Sequence, residues 1–106
     1  MYDESVMSSG LENLIKAMCA DYERRALVIK ERTAPYNVIM EYRFLNYRIL
    51  DAAIEVSGTR DAVEYIRDIG RGTGYANSAL NVICERVYKE RKREVKRNIA
   101  RRLSLF

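Results

Sequence analysis

The sequence predicts an all-α fold, a compact four-helix domain with a helix-turn-helix-like C-terminal half and a long basic C-terminal helix. Three observations lead there. One Pro and five Gly in 106 residues leave few chain breaks. Apolar residues recur every three or four positions, the period of a helix, which leaves little room for strands. A hydrophobic content of 48% over this length suffices for a modest core and excludes a disordered tail, so one helical domain is expected over residues 1–106.

The first helix is expected over 9–32. Ser9 and Glu12 have capping-box spacing, a hydroxyl for the Glu12 amide and a carboxylate reaching back. Its inward stripe reads Leu11, Leu14, Ile15, Met18, Tyr22, Ala26 and Ile29. Arg32-Thr33-Ala34-Pro35 ends it, because Pro is disfavoured inside a helix and suits the first turn of the next.

The second helix, 35–56, carries two apolar stripes. Tyr36, Met40, Phe44, Tyr47, Leu50 and Ile54 form one; Val38, Tyr42, Leu45, Ile49, Ala52 and Val56 form the other. Such a helix is either central in its domain or shared between the core and another subunit. The expectation is a homodimer through this helix, with Val38, Tyr42, Leu45 or Ile49 near the interface. Tyr22, Tyr36, Tyr42, Phe44 and Tyr47 read as core rather than as a base-stacking platform, since a helical stripe is what a core requires.

Ser57-Gly58 closes that helix, and Thr59 is placed to cap a short third one over 60–69, with Ala62, Val63, Ile66 and Ile69 inward. The cluster Gly70-Arg71-Gly72-Thr73-Gly74 follows a helix, whereas a phosphate loop must follow a strand. It reads as a helix C-cap and a tight turn. The fourth, basic helix is expected over 78–103, with Leu80, Ile83, Cys84, Val87, Tyr88, Val95, Ile99 and Leu103 apolar; a bend after Ile83 stays open.

Charge is unevenly distributed. From Cys84 to Phe106 there are nine basic residues against three acidic ones, +6 in a chain whose total is +4, so residues 1–83 sum to −2. Arg86, Lys89, Arg93, Lys96 and Arg97 fall at spacings of three and four and make a ribbon along one side of a helix. A basic end on a mildly acidic body points to an anionic partner, nucleic acid above all. Arg suits that work because its fork pairs bidentately with guanine or phosphate, while Lys brings a point charge to the backbone. Solvated pairing with Glu85, Glu90 and Glu94 accounts for three of the nine basic residues and leaves six charges unmatched.

Other classes of function are narrowed by what is absent. There is no His, which excludes His-based acid–base catalysis and His metal sites, and no metal or cofactor is expected. Cys19 and Cys84 belong to no CxxC pair and read as buried, reduced thiols of a cytoplasmic protein. The acidic start Met1-Tyr2-Asp3-Glu4 shows no secretory signal, and no apolar run approaches a membrane span. A dimeric helical enzyme of the chorismate-mutase kind would have to gather Arg24, Arg25, Arg43 and Arg48 around a dianion; ordinary surface charge explains them. Solvation likewise explains the row Asp61, Glu64, Asp68. No catalytic residue is assigned, and the expected class is not an enzyme. A helical adaptor or packaging protein, without sequence-specific DNA binding, is the alternative.

The run Ser78-Ala-Leu80-Asn-Val-Ile83-Cys-Glu85-Arg-Val-Tyr88-Lys-Glu-Arg-Lys92-Arg-Glu-Val-Lys-Arg-Asn-Ile99-Ala100-Arg-Arg-Leu103 resembles the C-terminal part of phage late transcription regulators of the ArpU/RinA type, which are similar to region 4 of sigma factors. The resemblance covers about Asp61–Leu105. It rests on an Ile-x-Glu-x-x-Tyr start, a basic Tyr-Lys-x-x-Lys stretch and an Ile-Ala-x-x-Leu ending. It implies a DNA-binding transcriptional regulator of phage or prophage origin, with Glu85, Arg86, Tyr88, Lys89, Lys92 and Arg93 on the recognition helix. Together with the basic ribbon, the expected contacts to double-stranded DNA are Arg86, Tyr88, Lys89, Lys92, Arg93, Lys96 and Arg97.

Overall fold

The computed structural model describes residues 7–105, so the acidic start Met1-Tyr2-Asp3-Glu4 lies outside the described residues. The expected all-α, four-helix architecture is present, with its first helix divided in two. The elements are α1 (Ser9–Ala20), α2 (Tyr22–Glu31), α3 (Tyr36–Ser57), α4 (Ala62–Arg71) and α5 (Glu85–Arg102), with a single 3-10 turn at Tyr75–Asn77. Ser8, one residue earlier than expected, caps α1: its Oγ accepts from the Leu11 amide at 3.1 Å. Glu12 is thereby free of capping and faces Lys96 of α5 at 3.5 Å.

The division at Asp21 has a side-chain cause. Arg25, which is buried, donates to the Met18 carbonyl at 2.5 Å and to Asn46 Oδ1 of α3 at 2.7 Å. Asn46 in turn donates to the Tyr22 carbonyl at 3.1 Å. These bonds engage a carbonyl on each side of Asp21 and tie the bend to α3 through Asn46. The bend lets α1 lie along α4 while α2 lies along α3. Arg25 is thus buried and bonded within the fold, and Arg24 is held by Asp21 at 3.0 Å and lies over the Tyr42 ring.

Helix α3 is central, packed by α2, α4 and α5. Its residues Ile49, Ala52 and Ala53 are sealed in a core with Ile15 and Cys19 of α1, Tyr65 and Ile66 of α4, and Tyr88, Val95 and Ile99 of α5. The two stripes of α3 therefore divide differently from the expectation. Ile49 is fully buried and so is not available to a second subunit, while Leu45 is half-buried against the core. Tyr36, Phe44 and Tyr47, expected inside, are 77%, 61% and 68% exposed. Leu14 and Val63, expected inward, are also largely exposed, because α1 and α4 meet each other along Ile15–Cys19 and Ile66–Gly70.

Gly70 is the point of closest approach. A Cβ there would lie 2.6 Å from the Ala20 backbone nitrogen and 2.8 Å from its Cα, so backbone meets backbone just before the bend. Gly72 closes α4 in the left-handed region, φ 68°, with the Thr73 amide reaching the Asp68 carbonyl at 2.9 Å. The C-cap reading of the glycine cluster is correct; the turn it opens is not tight. Thr59 does not cap α4, whose N-cap position is Asp61. The basic helix starts at Glu85 rather than 78, since residues 78–84 form a loop. The Tyr75 hydroxyl donates toward the carbonyls of Asn81 and Ile83 at 2.9 and 2.6 Å, and the Ser78 side chain is drawn into the core, which holds that loop out of a helix.

The cysteines part company. Cys19 is buried, and burial pushes its thiol up to about 12. Cys84, expected buried, is exposed at the start of α5, where the amides of Val87 and Arg86 lower its pKa. A chromogenic disulfide reagent should therefore modify one thiol quickly in the native protein and the second only on unfolding. Gly70→Ala should cost about 1–3 kcal/mol or more in urea denaturation, because the added methyl has only backbone to displace; wild-type stability in that variant would mean the two helices can slide apart freely.

Candidate nucleic-acid interface

Helix α5 is anchored on one side and open on the other. Tyr88, Val95, Asn98 and Ile99 enter the core, and Asn98 donates to the Ala52 carbonyl of α3 at 2.9 Å. At its end Arg102 pairs with Asp51 and Glu55 of α3. With this side fixed, the opposite side of the same helix must carry Arg86, Lys89 and Arg93 to the surface, where all three are exposed.

The start of α5 is set by Asp68. This carboxylate was expected to be solvated with Asp61 and Glu64; it is buried, 3% exposed. Its Oδ2 accepts from the Tyr88 hydroxyl at 2.7 Å and from Ser78 Oγ at 2.5 Å. Tyr65 stacks on Tyr88 with centroids 5.6 Å apart, and Tyr75 meets it at 5.5 Å. Tyr88 is therefore a core residue whose hydroxyl is used internally, and its expected role as a DNA contact is withdrawn. Burial, then the bond to Asp68, pushes the Tyr88 phenol up to about 12.

The remaining expected cations fall into two groups on either flank of α5. Arg86, Lys89 and Arg93 line an open hollow with Glu85 and Glu90. Arg86 pairs with Glu90 at 3.2 Å and Lys89 with Glu85 at 3.1 Å. Such exposed i,i+4 pairs contribute about 0.3–0.5 kcal/mol each, too little to withhold the cations from a phosphate. Arg93 makes no ion pair among the described residues.

Lys92 and Lys96 face the other flank, a cavity of about 190 Å³ between α1, the end of α4 and α5, whose lining includes Lys16 and Gly72. Lys92 Nζ donates to the Thr73 carbonyl at 2.7 Å and lies over the Tyr88 ring. Burial lowers its pKa, and repulsion from Lys96 and Lys16 lowers it further, against the pull of Asp68. Lys16 has no counter-ion among the described residues, and a Cβ on Gly72 would sit 3.1 Å from its Nζ. Sequence reading missed Lys16 because it lies far from the basic run. Its position on α1 opposite Lys96 depends on how α1 crosses α5. Arg97, expected on the ribbon, is mostly covered and pairs with Glu94 at 2.5 Å.

The helix-turn-helix layout is thus altered. The connection 72–84 between α4 and α5 is far longer than the three- or four-residue turn of that motif, and α4 is braced by Asp68 rather than by a short turn. Among the described residues no cluster of His, Cys, Asp and Glu could hold a metal ion, and no helix is long and apolar enough to cross a membrane. Comparison with family models, curated proteins and solved structures finds no match for the chain.

Tyr88→Phe should cost about 1–3 kcal/mol at neutral pH, since Asp68 keeps its burial and loses a donor. The phenol holds its proton more tightly folded than unfolded. Its contribution is complete below pH 10 and is lost as pH rises toward 12. Denaturation followed across that range should show stability falling less steeply in Tyr88→Phe than in wild type. Parallel curves would place the alkaline sensitivity on other groups.

Proposed function

We propose that the chain is a DNA-binding protein, a transcriptional regulator of a bacterial or phage cytoplasm, that holds the duplex through the outer face of α5. The observation that supports it best is the arrangement of six cations, Arg86, Lys89 and Arg93 on the outer side of α5, and Lys92 and Lys96 on its adjoining side together with Lys16 of α1. Three carboxylates, Glu12, Glu85 and Glu90, stand among them, which leaves an excess of positive charge on one side of the molecule. The lysine-lined cavity suits a backbone phosphate, for which ammonium groups serve as point charges. The exposed Arg86 and Arg93 suit phosphate or a guanine edge.

Rigidity also favours this reading. The stems of the cations stand on a helix fixed at both ends, by Asp68 at its start and by Asp51 and Glu55 at its finish. Little backbone freedom remains to be lost when a polyanion is bound, so the cost of ordering falls on the side chains alone.

The test is the salt dependence of binding to duplex fragments of random sequence, read by fluorescence anisotropy. Each phosphate contact contributes about 0.9 to the slope of log K against log salt. Lys16→Ala, Lys89→Ala and Arg93→Ala together should flatten it by about two to three units, with the helical circular dichroism unchanged, because Ala favours helix and these side chains reach solvent. Unaltered slope in the triple variant would remove this face as the reader, and absence of binding at low salt would put the adaptor reading in its place.

A further inference from the structure

The side of α3 that faces away from the core is apolar and bears charges without partners. Tyr36, Met40, Phe44 and Tyr47 follow one another at spacings of four, four and three, and three of the four are well over half exposed. Met40, Arg43, Phe44 and Tyr47 line a shallow recess whose accessible surface is almost wholly apolar. Exposed Glu41 and Arg48 flank it on one side, and Arg43 borders it on the other. None of these three makes an ion pair among the described residues. Elsewhere exposed acids and bases pair between helices, as in Arg67–Glu23 and Arg102–Glu55.

We infer that this face is covered by the same face of a second copy, with the two α3 helices antiparallel and crossing at Phe44. The argument for a second copy is self-complementarity. At about 100° per residue, Glu41 and Arg48 project on the same flank of the stripe, three residues before and four residues after Phe44. A two-fold axis at Phe44 keeps each flank on its own side and reverses the chain direction. Glu41 of one copy then falls beside Arg48 of the other, and the pairing occurs twice. On the opposite flank the same operation sets Arg43 beside the Tyr47 ring of the other copy, a cation over an aromatic face. Met40 comes to the edge of that same ring, a favourable thioether contact. A parallel two-fold swaps the flanks instead, so Glu41 and Arg48 of one copy would face the Met40, Arg43 and Tyr47 flank of the other and the paired Glu41–Arg48 contacts would be lost. The inference is independent of the DNA-binding reading, since α5 packs on the other side of α3.

Sedimentation velocity of the full chain at tens of micromolar should give a dimer. Phe44→Glu should give a folded monomer, since the residue faces solvent within one copy. Glu41→Arg and Arg48→Glu should each weaken association about five- to thirtyfold, from two symmetric attractive pairs turned repulsive. The double variant Glu41→Arg with Arg48→Glu restores opposite charges across the axis and should recover most of the loss. A wild-type monomer at these concentrations overturns the inference. So does a dimer indifferent to Phe44→Glu, and a double variant that fails to recover would overturn the antiparallel register.

Discussion

A buried carboxylate governs this molecule. Asp68 has left water, and an unpaired charge in such a place costs several kcal/mol. Tyr88 and Ser78 supply the hydroxyl donors that make its burial tolerable, and the Lys92 ammonium stands close enough to act on the same cluster. These three come from α5 and from the loop before it. Satisfying one carboxylate of α4 therefore fixes the loop's path, the start of α5 and the rotation of α5 about its axis. The tyrosine rings then fill the space around it, and the Thr73 carbonyl accepts from Lys92.

Rotation is what the outer face depends on. A helix with basic residues on two-thirds of its circumference has no preferred outward side from charge alone. Once Tyr88 points to Asp68, and Asn98 and Arg102 engage α3, Arg86, Lys89 and Arg93 face solvent and Lys92 and Lys96 turn toward α1. The cavity they share with Lys16 follows from two further constraints, the Gly70 contact that brings α1 against α4 and the left-handed Gly72 that leaves room beside Lys16. Core packing and surface charge are thus one problem here, solved by the same few residues.

Helix α3 shows a different economy. Its inner side is built of Ile49, Ala52 and Ala53, small enough to admit close neighbours, while its large aromatics point away from them. Asn46 and Arg25 fasten α2 to it through hydrogen bonds, which bends the first helix and spares the outer side any intramolecular cover. Contiguous apolar surface is costly to leave in water, whereas the charges that border it are well solvated there.

Period and punctuation made the helices legible. The three-to-four spacing, Pro35, Gly58 and the glycine cluster located the start of α1, the end of α2 and both ends of α3 and α4 within about two residues, because these are local backbone preferences that each segment carries by itself. The excess of basic residues after Cys84 was equally plain, and Arg86, Lys89 and Arg93 are as exposed as a ribbon should be. What the chain could not announce were relations between segments. Asp68 and Tyr88 each looked like surface or ambiguous residues until they met. Lys16 looked like ordinary solvated charge until α1 crossed α5. The break at Asp21, the unwinding of residues 78–84 and the choice of α3's inner stripe all turn on hydrogen bonds or packing between residues six to forty-six apart. Sequence sets which helices form and where charge accumulates, since those depend on neighbours along the chain. The tertiary structure alone decides which side of each helix is inside, because burying a polar group requires a partner that another helix must bring.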